Sequence, residues 1–206
     1  MPAPLTPGYN QAVVAPVKKL ATHADLVALG DGTRAEVVRG AIVEKASPSR
    51  EHSTSQFAFG VVLGRRFQRR GGGRWPGGWW FGTEIEVEYE AHEIYLHDVA
   101  GWRRERVPEL PHGRPTRVTP DWACELLSPS NAKRDTVDKF QVLHANRVPH
   151  YWLADPVEQT LIVHRWERAG YLVVLTAAAG DVVRAEPFDA VDLRVSALFG
   201  AEDDEE

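Results

Sequence analysis

The sequence predicts a layered domain of α/β (α+β) class, on three observations. Segments with two-residue apolar alternation are interleaved with stretches of helical period. The chain has 206 residues, 43% of them hydrophobic, enough for one domain with its own core. One run, 120–128, is apolar in both phases of its alternation, the mark of a strand covered on both faces. Strands and helices mixed in this way bury their apolar surfaces by layering.

Residues 1–20 are Pro-rich and aperiodic and read as a flexible arm. Residues 21–200 read as a single domain, and 201–206, ending in five acids, as an acidic disordered tail. Within the domain, Thr22 is placed to cap a short helix that Gly30 stops. Short strands follow at 34–39 and 41–45. A long helix is expected over 53–70, with Phe57, Val61, Leu63 and Phe67 as its apolar stripe and Gly71-Gly72-Gly73 as its end. Ile85, Val87 and Tyr89 alternate with Glu84, Glu86, Glu88 and Glu90 in a strand over 79–90, a solvated acidic face of which Glu84 or Glu86 could approach a site. Another strand covers 93–102, and a polar loop covers 103–117.

After the doubly buried strand, a helix over 134–147 turns Val137, Phe140 and Leu143 to the core, with Ser128 and Ser130 as capping residues. Strands over 150–154, 160–166 and 171–176 are separated by turns at Asp155-Pro156 and Ala169-Gly170. Segments 182–184 and 191–195 are expected to add edge strands.

Composition limits the function. A net charge of −5 excludes a chain that binds polyanions with its whole surface, so any nucleic-acid contact must be a local patch. The single cysteine, Cys124, excludes an internal disulfide and fits a reducing compartment. No apolar run approaches the roughly 20 residues of a membrane span, and the first fifteen residues lack a signal-peptide pattern. A cytoplasmic protein without a membrane partner is therefore expected.

Glu125 carries the chemical argument. A lone carboxylate on a doubly buried strand is costly unless it is paired or holds a metal. Asp121 shares its face but lies about 13 Å along the strand. Asp98 is a second acid on an otherwise apolar strand face, with Ile94, Leu96 and Ala100. Carboxylates on paired strands, about 4.8 Å apart, repel unless a cation sits between them, and an oxygen-only donor set suits Mg²⁺ or Mn²⁺. The alternative is that Asp98 and Glu125 each pair with an arginine.

Other candidates are weaker. His92 and His97 are five apart on a strand, which sends them to opposite faces and excludes a shared zinc. Cys124 reads as a buried structural thiol. Arg65, Arg66, Arg69, Arg70 and Arg74, with Trp75, Trp79 and Trp80, form one basic and aromatic cluster. It reads either as a nucleic-acid contact or as a solvated helix end with cations at its negative pole.

The run Pro120-Asp121-Trp122-Ala123-Cys124-Glu125-Leu126-Leu127-Ser128-Pro129-Ser130, then Asp135 and Lys139, then 148–156 (VPHYWLADP), resembles the Uma2 family of restriction-endonuclease-like proteins, within the PD-(D/E)XK nuclease superfamily. The likeness spans roughly 33–200 and is looser in the N-terminal half, through Glu36, Gly40 and His52. It implies a central mixed sheet flanked by helices and a Mg²⁺-dependent phosphodiesterase site. On this resemblance Asp98 and Glu125 correspond to the metal-binding acids, Lys139 to the motif lysine relocated to the following helix, and Glu36 to an additional acid. His97 replaces the motif proline, a change expected to be neutral, and Leu127 stands where a strict motif has lysine. From its residues alone, Lys139 sits at the flank of the buried helix face, where an i,i+4 pair with Asp135 is the alternative role.

The function expected is a Mg²⁺- or Mn²⁺-dependent endonuclease acting on nucleic acid, DNA in the first instance. A homodimer would suit double-strand cleavage. The alternatives are a non-catalytic nucleic-acid or protein binding module on the same fold, or a metal-dependent hydrolase of small phosphoesters.

Overall fold

The computed structural model describes residues 19–30, 32–128 and 132–203. The expectations for the rest of the arm and tail, and for Ser130, lie outside the described residues.

Eight strands form one mixed sheet. Strands β1 (Ala35–Val38), β2 (Ala41–Glu44), β4 (Glu93–Arg103), β5 (Trp122–Leu126), β6 (His150–Asp155), β7 (Thr160–Glu167) and β8 (Gly170–Ala178) lie in the order β2-β1-β4-β5-β6-β7-β8. The twelve-residue β3 (Trp79–Glu90) pairs with β4 as a long antiparallel hairpin. β1 and β2 join through Arg39 and Gly40, both with positive φ, as a two-residue type I′ hairpin turn requires. The β5–β6 pair is parallel, so the chain must cross over between them, and the helical segment near 134–145 does this. The 182–183 and 193–194 segments become β9 and β10. They pair with each other in a separate two-stranded sheet and do not extend the main one.

Helix α1 (His23–Val27) covers β1, and its Asp25 carboxylate reaches back to the Thr22 N–H at 2.9 Å. Helix α2 (Arg50–Phe67) starts earlier than expected because Ser49 caps it, accepting from the His52 N–H. Its buried line is Phe59, Val62, Leu63, Arg66 and Phe67, at the spacing of one helical face. Phe57 is 75% exposed and Val61 is 48% exposed, so the expected stripe is corrected. Phe57 is two positions from Phe59, about 200° round the helix.

α2 and a 3-10 helix (Val195–Phe199) pack on one sheet face, over Trp122, Cys124, Trp152 and Phe188. The rings of Trp122, Trp152 and Phe188 meet edge-on within 5.1–5.5 Å of one another. The opposite face carries Tyr95, Ala123, Tyr151 and Leu153 beneath Leu143. The crossover begins with a π-helical turn (Arg134–Asp138) and continues as α3 (Lys139–Ala145). Asp135, Lys139 and Leu143, four residues apart, share one face and point inward. Val137, expected in the core, is exposed.

β4 positions the site. On the edge away from β3, its Ile94 pairs with Val37 of β1, and its Val99, Ala100 and Gly101 pair with β5. Among the described residues, no strand pairs with 95–98 on that edge. On the β3 side, Glu84 has a positive φ and drops out of the ladder opposite Asp98.

Candidate metal centre and active site

Side chains complete the gap in the sheet. The Leu96 N–H donates to Glu36 Oε1 at 2.9 Å, and the Leu96 carbonyl accepts from Lys45 Nζ at 2.8 Å. These contacts replace the missing ladder bonds of a buried backbone. One further step of the β4–β5 register would place Asp98 opposite Glu125. Instead the Asp98 carboxylate enters the gap and accepts the Leu126 N–H at 2.8 Å.

Asp98 and Glu125 meet at Lys45. Its ammonium is 2.9 Å from Asp98 Oδ1 and 3.8 Å from Glu125 Oε2. His52 of α2 approaches Asp98 Oδ2 at 3.3 Å, and Gln56 donates to the Asp98 carbonyl. Glu84 takes part indirectly, accepting from Gln56 and Arg34, whereas Glu86 turns away to Arg114 and His23. From the other face, Lys139 Nζ lies 2.9 Å from Glu125 Oε1, 2.8 Å from Glu36 Oε1 and 3.3 Å from Asp135 Oδ1. These contacts have the distances of ion pairs but angles outside hydrogen-bonding geometry. Arg134 Nε is 3.2 Å from the other Glu36 oxygen. Glu36, Asp98, Glu125, Asp135 and Lys139 are all fully buried.

Three expectations change. Lys139 is enclosed, not at the flank of its helix, because it shares the inward face with Leu143 four residues on. The arginine pairing considered as the alternative for Asp98 and Glu125 is not what the cluster uses, since lysines and histidines hold both acids. His97 is no neutral replacement. Its Nδ1 lies 2.5 Å from Glu125 Oε1, and its Nε2 lies 2.8 Å from the Tyr89 hydroxyl. Burial, with Lys139 nearby, pushes His97 down to about 3, so the ring is neutral. Tyr89, itself pushed up by burial, keeps its proton and donates to Nε2, which leaves the Nδ1–H to donate to Glu125.

The charges do not balance within the cluster. Four acids face Lys45, Lys139 and Arg134, leaving one negative charge in excess when the neighbouring histidines are uncharged. Burial opposes ionisation of Asp98, but Lys45 and His52 outweigh it and hold that carboxyl well below its usual range. Burial likewise opposes ionisation of Glu36, which Lys139, Lys45 and Arg134 hold low. Burial pushes Glu125 and Asp135 up to about 7, which makes them the acids of the cluster most ready to hold a proton.

Among the described residues no three His, Cys, Asp or Glu side chains form a ready metal cage. What Asp98 and Glu125 offer is narrower. Both are hard oxygen donors, and Glu125 Oε2 is buried with no hydrogen bond among the described residues. Two carboxylates with room for water and phosphate suit Mg²⁺ or Mn²⁺, which are held by few protein ligands. The residues fit such an ion if the ammonium between them withdraws. A cleft of about 250 Å³ is lined by Lys45, His52, Ser128 and Arg134 among others.

The other candidates lie elsewhere. Asp121 is held by the Arg103 N–H and Arg106. His92 binds the Ala21 carbonyl, far from the partners of His97. Burial pushes the Cys124 thiol well up, in keeping with an inert structural role. The arginine cluster spans the last turn of α2 and the residues after it, with Arg66 roughly 21 Å from His52 at the helical rise. Arg66 is buried against Asp203 and Trp75, Arg74 stacks on Trp75, and Trp79 belongs to the core. A shallow depression of about 710 Å³ there, lined by Arg70, Trp80, Arg104 and His112, contains none of the acids above.

Comparison with known proteins agrees with this architecture. Residues 21–196 match the family described as "Uma2: Putative restriction endonuclease". Four solved chains match in fold. One is a crystal structure from Anabaena variabilis ATCC 29413 described as "a putative nuclease belonging to DUF820", with a TM-score of 0.63 and 20% identity over 87% of this chain and 97% of that one. No curated protein matches.

Proposed function

The chain belongs to the Uma2 family, and from that premise we propose that it is a Mg²⁺- or Mn²⁺-dependent endonuclease that hydrolyses phosphodiester bonds of nucleic acid, DNA in the first instance. The observation that carries the reading is the meeting of Asp98 and Glu125 at one cation position beside a cleft. Asp98 and Glu125 would hold the ion, whose chemistry when bound is a water of lowered pKa and a polarised phosphate.

The chain's own groups do the positioning. His97 and Lys139 both engage Glu125 Oε1, which leaves Oε2 directed toward Asp98 and Lys45. Lys139 is committed to three carboxylates and has no exposure, so it acts by orienting Glu125 and Glu36. Lys45, Arg134 and Arg34 border the cleft and are placed to meet a phosphate oxygen. Glu36, held by the Leu96 N–H, Lys139 and Arg134, fixes the wall of the gap.

The neutralised acids favour a second reading, a binding module on the same fold without turnover. Plasmid cleavage with Mg²⁺ or Mn²⁺, compared between wild type and Glu125→Ala, separates the two. Metal-dependent nicking lost in the variant is expected. Equal activity in both proteins, or none in either, defeats the endonuclease reading. Activity on mononucleotides alone would move the assignment to a small-phosphoester hydrolase. No helix among the described residues is long and apolar enough to cross a membrane.

A further inference from the structure

We infer that Lys45 is a resident counter-ion that competes with a divalent cation for Asp98 and Glu125, and that metal binding moves its ammonium into the adjoining cleft. The inference deepens the endonuclease reading and rests on it for the identity of the ligand.

The two ammonium groups of the cluster differ in what departure would cost. Lys139 is fully enclosed, and its withdrawal would strand Glu36, Glu125 and Asp135 together. Lys45 stands at the boundary, 9% exposed, on the wall of the cleft. Its withdrawal gives up the bond to the Leu96 carbonyl, which then needs a water from the cleft, but leaves Asp98 with the Leu126 N–H and His52, and Glu125 with His97 and Lys139. Both acids keep partners, and the position between them, where Lys45 now contacts Asp98 Oδ1 and faces Glu125 Oε2, is freed for a harder cation. The lysine backbone is anchored by its own N–H to the Arg34 carbonyl at 2.8 Å, so the flexible four-carbon stem alone needs to swing. Ser47, Ser49 and Glu51 line the cleft into which it would turn.

The test is Mn²⁺ binding by calorimetry on the full chain, wild type against Lys45→Met, which keeps the stem and removes the charge. The variant is expected to bind Mn²⁺ at least about tenfold more tightly. Equal or weaker binding by the variant, with measurable binding by wild type, overturns the inference and leaves the endonuclease reading standing. Binding by neither protein overturns both. Should Lys45→Met fail to fold, lysine acetylation of the wild type read by mass spectrometry decides the matter. Saturating Mn²⁺ is expected to expose Lys45 to the reagent while Lys139 stays protected. Lys45 labelling that is unchanged or reduced at saturation overturns the inference.

Discussion

Two stretches of β4, a few residues apart, solve the same burial problem in opposite ways. At Val99–Gly101 the strand is laddered to β5 and lies beside a core of Trp122, Trp152 and Phe188. At 95–98 the same edge has no strand partner among the described residues, and ionisable side chains fill the space. In the first stretch the backbone satisfies itself and side chains need only be apolar. In the second, Leu96 and Leu126 depend on Glu36, Lys45 and Asp98 for their hydrogen bonds, so charge is drawn into the interior. A break in a sheet therefore does more than interrupt packing, because it creates a demand for polar groups that a reactive site can use.

The sharpest test of that contrast removes one group from each side. Lys139→Met leaves three buried carboxylates short of a cation and should cost roughly 3–5 kcal/mol. Trp152→Ala opens a cavity in the aromatic core and should cost a similar roughly 3–5 kcal/mol. Urea unfolding reads both, and Mn²⁺ affinity of the folded protein separates them. It should collapse in Lys139→Met and persist in Trp152→Ala. Equal effects on Mn²⁺ affinity would erase the distinction between the two stretches.

A smaller effect probes the excess charge. Burial pushes Asp135 up to about 7, whereas an unfolded aspartate titrates near about 4. Between those values the folded protein keeps a proton that the unfolded chain has released. The contribution of Asp135 to stability therefore falls as pH rises through that window. Asp135→Asn cannot titrate, so its stability relative to wild type should rise by on the order of 2 kcal/mol from about pH 5 to about pH 8. Taking the difference between variant and wild type cancels the opposite slope from His97, which burial pushes down and whose contribution is lost as pH falls. A pH-independent difference would place the excess proton elsewhere.

The smallest effect concerns the helix the two regions share. Ser49→Ala removes the cap that accepts the His52 N–H and should cost about 1 kcal/mol of stability, measured by thermal unfolding. An unchanged midpoint would show that the first turn of α2 is held by its packing alone.

The same contrast separates what is legible in the sequence from what is not. Strands with clear alternation or two-phase burial, β3, β4 and β5, fall close to where the pattern predicts, because their periodicity reports packing directly. The family likeness rests chiefly on 120–156, which begins with β5. The apolar stripe expected for α2 misleads because Phe57 and Val61 are apolar yet outward, while Ser55 and Arg66 are polar yet inward. In the crossover helix Val137 is apolar yet outward, while Asp135 and Lys139 are polar yet inward, so apolar patterning alone does not reveal its buried face. Asp98, Glu125, Lys139 and Glu36 are all legible as candidates, and the structure brings the four together. Lys45 is not legible, because it is 53 residues from Asp98 and carries no local pattern. The role of His97 is hidden because a register within one sheet decides which acid it meets.

The most direct measurement is a crystal structure of the protein grown with Mn²⁺, with anomalous scattering used to locate the ion. The account places the peak between Asp98 and Glu125, with the Lys45 ammonium withdrawn toward the cleft and Lys139 still against Glu125. An ion bound elsewhere, or saturating Mn²⁺ with Lys45 unmoved between the two acids, would contradict it.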